Sequence, residues 1–166
     1  MTVKPEGGPS DPPGAGTVQS LDNDENEIVL RRIHEDGVEA HEGSLCYARD
    51  AGSCRAVVSS STNCADVLAA VGREDLIEAR VGGLTAERDH LAGKPAPDMF
   101  LAGARALEVA PGDAVVFEDA LAGVVAGRAG GFGFIVGVDR AGQGTELKTH
   151  GADVVVGDPA GLLEAS

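Results

Sequence analysis

Apolar positions along this chain follow two patterns in alternation. Four short runs, RAVVSS (55–60), AVVFED (114–119), GFIVGV (133–138) and ADVVVG (152–157), have continuously apolar centres, which predicts strands buried on both faces. Between them the apolar period lengthens to that of a helix. Cys64, Val67, Leu68 and Val71 fall at i, i+3, i+4 and i+7, so NCADVLAAVG predicts an amphipathic helix closed by Gly72. PDMFLAGARALEV (97–109) predicts a second helix, with Pro97 and Asp98 in its first turn, where a fixed φ and a negative charge are favourable. Leu121, Val124, Val125 and Arg128 mark a third, ended by Gly130 and Gly131. The segment 139–158 reads as loop, short helix and last strand. Upstream, Ile28, Val29, Arg32 and Ile33 predict a helix from Leu21 to about Glu35, capped by Asp22 or Asn23 and stopped at Gly37. Strand and helix in alternation predict an α/β layer with a parallel sheet. Residues 1–20 carry Pro, Gly and Ser without an apolar period and read as a disordered tail.

Composition narrows this picture. The chain has 166 residues, 43% of them hydrophobic, with only 3% aromatic. A single core built from Val, Leu, Ile and Ala is the expectation. The net charge of -14 repels a nucleic-acid backbone or an anionic membrane surface. No apolar run approaches the ~20 residues that span a bilayer, so a soluble, cytoplasmic protein is expected. Cys46, Cys54 and Cys64 are odd in number and lack CxxC spacing, and read as ordinary small apolar residues. His41, His90 and His150 are scattered without ligand spacing.

Ligands of open parallel sheets gather outside the carboxyl ends of the strands. Three polar clusters lie at or near such ends. SSSTN (59–63) places hydroxyls and backbone N–H groups at a helix start, which suits a phosphate or simply caps the helix. GKPAPD (93–98) holds Lys94 on a stiff turn, where its ammonium can neutralise a phosphoryl group or a carboxylate, or stand as a surface lysine. Glu118 and Asp119 end an apolar strand. Adjacent acids there repel each other unless a cation lies between them, and hard oxygen ligands favour Mg²⁺; helix capping by Asp119 is the alternative.

The order SSSTN, GKPAPD, FEDALAG resembles the second, third and fourth motifs of the haloacid dehalogenase (HAD) superfamily, in its β-phosphoglucomutase-like branch of phosphatases and sugar-phosphate mutases. The resemblance covers roughly Leu21 to Leu163. It implies a HAD-like Rossmannoid core in which Ser59, with Ser60 and Asn63, binds the transferring phosphoryl group. Lys94 then stabilises the phosphoryl charge, and Glu118 and Asp119 hold Mg²⁺. The position before Asn63, Lys in some relatives, is Thr62 here. The implied ligand is a small phosphorylated metabolite, with a sugar phosphate as its class.

The first motif of that family, DxDG at the end of the first strand, supplies the Asp nucleophile and the Asp acid/base. HEDGV (34–38) matches only its second half, because His34 stands at the nucleophile position and the preceding EIVLRRI reads as helix. The stretch 22–36 resembles instead the last helix of the family's cap, and DGVEAHEG the linker back to the core. The resulting expectation is a disordered tail (1–20), a cap-remnant helix and linker (21–40) and a partial core (41–166). Such a chain is impaired or inactive alone, as a phosphatase or mutase type without its nucleophile, or acts as a non-catalytic binder. In the family the first strand lies between the strand ending in Ser59 and that ending in Glu118. Without it two backbone edges are bare. Closure of the sheet, self-association or a complementing chain, and partial folding are the three outcomes open.

Overall fold

Two side chains decide where the first helix begins. The Thr17 hydroxyl accepts the Ser20 N–H at 3.0 Å while the Ser20 hydroxyl accepts the Thr17 N–H at 3.1 Å, a reciprocal cap on α1 (Val18–Asp36). The helix therefore starts three residues before Leu21, capped by Thr17 and not by Asp22 or Asn23, and residues 18–20 belong to it. The computed structural model describes residues 5–8, 10–12, 14–50 and 52–163. Gly37 caps the far end of α1, as its place in the pattern predicts.

The elements that follow are α2 (Glu42–Asp50), β1 (Ala56–Val58), α3 (Cys64–Val71), β2 (Ala79–Val81), α4 (Gly83–Arg88) and α5 (Asp98–Ala106). Then come β3 (Val115–Glu118), α6 (Leu121–Ala129), β4 (Phe134–Val138), α7 (Gly144–Thr149) and β5 (Val154–Val156). All four expected strands and the expected helices are present. Three elements carry too little signal to be foreseen: α2 buries no residue, β2 is three residues long, and α4 spans six.

The strands form two separate parallel sheets, β1-β2 and β3-β4-β5. β1 and β3 are not paired, so among the described residues the sheet does not close between them. This also corrects the expectation of uniform two-sided burial. β4, the middle strand of its sheet, is buried over Ile135–Val138, but all three residues of β1 and of β5 are only half-buried, because each lacks a neighbour on one side.

The core lies in the second sheet. Ile135 and Leu147 have no exposed surface and pack with Val124, Ala126 and Val116, each large aliphatic side chain contributing about 2 kcal/mol through burial. Phe100 and Phe132 meet edge to face with centroids 5.8 Å apart. Phe100 comes from α5, which also packs on β1 and β2. One helix thereby ties the two sheets together.

Candidate functional site

The carboxyl ends of β1 and β3 open into one cleft of about 960 Å³, lined at its mouth by Ser59, Ser60, Lys94, Glu118 and Asp119. Five residues from three stretches of sequence are thus brought to one place. The loop after β1 is held by its own hydroxyls: Ser59 Oγ accepts the Ser61 N–H at 3.2 Å, and Ser61 Oγ accepts the Asn63 N–H at 3.1 Å. It also lies against the start of α4. A Cβ on Gly83 would fall 2.7 Å from the Ser60 carbonyl oxygen and 2.9 Å from the Thr62 nitrogen, so only glycine permits this approach.

Lys94 comes from the loop before α5 and donates to the Glu118 carboxylate. Its ammonium also sits 4.7 Å from the centroid of Phe100, a favourable seat for a cation on an aromatic face. Both members of the pair are largely shielded, with Lys94 17% and Glu118 8% exposed. A buried carboxylate at the end of an apolar strand needs such a partner. Gly123 in α6 lets the Glu118 carboxylate keep this position, since a Cβ there would lie 2.1 Å from its carboxyl carbon and one of the two would have to shift.

Asp119 is exposed and does not cap α6, whose N-cap is Ala120 without a side-chain bond. Its carboxylate faces Arg140 at 3.9 Å, and its backbone carbonyl accepts from Gln143 Nε2 at 2.7 Å. Nor does the side chain of Asn63 cap α3. It is buried, and its amide donates to Asn26 Oδ1 at 2.7 Å, an oxygen that also accepts from Thr62 at 3.1 Å. Asn63 therefore joins the loop to α1 and does not line the cleft. Asn26, Arg140 and Gln143 had no signal in the sequence, because each acts through a distant contact.

Residues 34–36 are the last turn of α1, followed by the Gly37 cap. Among the described residues no strand precedes β1, so HEDGV is not presented at a strand end. The carboxylates described at the mouth of the cleft are Glu118 and Asp119. No group of three His, Cys, Asp or Glu side chains placed to hold a metal occurs among the described residues. Mg²⁺, however, commonly takes one or two carboxylates and completes its shell with water and phosphate oxygens, so this donor pair fits it. Cys64 is buried, and burial pushes its thiol up, away from reactivity. No helix among the described residues is long and apolar enough to cross a membrane.

A family model described as haloacid dehalogenase-like hydrolase matches residues 16–131. The β-phosphoglucomutase of Mycobacterium tuberculosis is 48% identical over 165 residues, covering 96% of this chain and 63% of that protein. That of Bacillus subtilis is 38% identical, covering 68% of this chain and 45% of that protein. Among solved structures, a HAD family hydrolase from Deinococcus radiodurans, crystallised with bound phosphate and sodium, superimposes with a TM-score of 0.71 at 28% identity. The match covers 90% of this chain and 67% of the other. A β-phosphoglucomutase from Clostridium difficile gives a TM-score of 0.69 at 25% identity, over 87% and 63% of the two chains. The chain thus spans less than two thirds of the length of each of these three mutases.

Proposed function

The chain belongs to the haloacid dehalogenase-like hydrolase family, and on that premise we propose that its cleft binds a small phosphorylated metabolite, of the sugar-phosphate class, together with Mg²⁺. The observation that carries this reading is the Lys94–Glu118 pair at the carboxyl end of β3, in one cleft with Ser59 and Asp119. In this reading the Ser59 and Ser60 hydroxyls donate to phosphate oxygens. The Lys94 ammonium neutralises their charge from a position already fixed by Glu118 and Phe100, so little reorganisation is needed on binding. Glu118 and Asp119 would hold Mg²⁺, which when bound supplies a second positive charge to the phosphate oxygens. The mutase and phosphatase relatives support the substrate class.

Phosphoryl transfer through a covalent intermediate needs a nucleophile, and both acids at the mouth are assigned to the metal. The isolated chain is therefore expected to bind without efficient turnover. Phosphorus NMR of p-nitrophenyl phosphate tests this. The wild-type chain with Mg²⁺ should broaden the phosphorus resonance, Lys94→Ala should abolish the broadening, and release of p-nitrophenol should stay at background. Release that is lost in Lys94→Ala would show that another residue serves as nucleophile. No broadening by the folded chain would remove the reading.

A further inference from the structure

We infer that the loop after β4, residues 139–143, sets the Mg²⁺ affinity of the cleft through two side chains with opposite effects on Asp119: Gln143 holds that residue in place, and Arg140 competes with the metal for its carboxylate. The inference rests on the reading of Asp119 as a metal ligand. Asp119 is the loosely held member of the acidic pair. Glu118 is shielded and paired with Lys94, whereas the Asp119 side chain is 58% exposed. At the start of α6 the Gly123 and Val124 N–H groups both donate to the Ala120 carbonyl, so helical bonding begins one residue beyond Asp119. The Asp119 carbonyl is held from elsewhere, by Gln143, 24 residues further on, whose Nε2 donates to it at 2.7 Å.

Gln143 can act in this way because its own backbone is locked. Asp139 directly follows the buried strand β4, and its N–H donates to the Val156 carbonyl of β5 at 2.8 Å. Its carboxylate accepts the Gln143 N–H at 2.8 Å and the Gly144 N–H at 3.1 Å, which closes the loop on itself. Gln143 stands at the N-cap position of α7, yet its side chain does not cap that helix and crosses to Asp119. Three residues thus link the core to the cleft: Asp139, Gln143 and Asp119. Gln143 does not line the cleft itself, so it is a positioning residue, and the partner that orients a ligand from behind governs how well it meets the metal. Arg140 belongs to the same loop but lines the cleft beside Asp119. Its Nε is 3.9 Å from Asp119 Oδ2, too far for a hydrogen bond. An ion pair this long and this exposed is weak, and a divalent cation on the same carboxylate displaces it. The Arg140 Nη2 also donates to Ser44 Oγ of α2 at 3.1 Å. That tether keeps the guanidinium charge beside the metal, where it opposes binding.

The test titrates Mn²⁺, a hard octahedral stand-in for Mg²⁺, into the whole chain without any phosphate compound and reads binding from the loss of the free-ion EPR signal. Asp119→Asn marks the site and should weaken binding by about tenfold or more. Gln143→Met keeps the length of the side chain and removes its donor, and should weaken binding by about threefold or more. Arg140→Gln should tighten it by about threefold or more at low salt, and the gain should shrink at about 0.5 M KCl, where the charge is screened. Arg105→Gln removes the same charge from an exposed position of α5 outside the cleft and should change nothing. If Asp119→Asn weakens binding but Arg140→Gln does not tighten it, or Gln143→Met binds as the wild type does, the inference falls and the metal site stands. If Asp119→Asn leaves binding unchanged, the metal is not at Asp119, and the reading of the cleft falls together with the inference.

Discussion

At the scale of single residues, the site depends on one carboxylate being held where its strand leaves it. Gly123→Ala places a methyl group against the Glu118 carboxyl group, and the accommodation should cost about 1–3 kcal/mol, read as a lowered urea midpoint with an unchanged slope. Lys94→Ala strands a buried carboxylate and should cost about 3 kcal/mol, whereas a Lys94→Ala, Glu118→Gln double variant should recover part of that loss. Full additivity of the two would show that the pair is not coupled. The Arg55–Glu78 pair at the foot of β1 responds to pH. Glu78 accepts from the Arg55 guanidinium at 2.9 Å and from its backbone N–H at 2.6 Å, and these bonds hold its carboxyl down to about 2 from an ordinary 4.5. Its folded value is below its unfolded one, so its contribution is complete above pH 4.5 and fades as the pH falls toward 2. Glu78→Gln should flatten the acid limb of the stability profile over that window, measured by urea unfolding from pH 5 to pH 2. A limb of unchanged slope would show that the pair carries none of it.

At the scale of elements, polar contacts join what apolar packing leaves loose. α1 meets α3 and the preceding loop through Asn26, which serves both Asn63 and Thr62. Asn26→Ala should therefore cost about 1 kcal/mol and raise exchange in the 59–63 loop, while a remote surface variant such as Glu25→Ala should do neither. The legibility of the elements follows the same division. β3, β4, α5 and α6 are readable because each carries an apolar run or stripe that the core consumes, as Val124 and Ile135 show, and α3 is readable from its stripe although only Cys64 of it is buried. α2 is not readable, because none of its nine residues is buried and no stripe is needed. β2 contributes one buried residue, Val81, and α4 exposes its only large apolar side chain, Leu84. The apolar pattern does not reveal the start of α1, because its cap is a Thr17–Ser20 pair lying inside a Pro/Gly-rich stretch. Within the site, Ser59, Lys94, Glu118 and Asp119 are legible from local motifs, since strand ends and loops place them. The burial of Asn63 against Asn26 depends on a contact 37 residues distant in sequence, and no local pattern encodes it.

At the scale of the whole molecule, the two sheets are unequal. The β3-β4-β5 half owns the core cluster, and the β1-β2 half is tied to it largely through α5. Amide exchange should show this directly, with Ile135 and Val136 opening only on global unfolding and Val57 opening at lower cost. The proposed phosphate site lies where the two halves meet, so its affinity would report on their alignment as well as on its own residues. Isothermal titration of orthophosphate in the presence of Mg²⁺, on the wild-type chain and on Lys94→Ala with its fold verified by circular dichroism, tests the central claim most directly. The predicted result is saturable binding that requires Mg²⁺ and weakens by about tenfold or more in the variant. Absence of binding by the folded wild type, or equal binding by the variant, would contradict it.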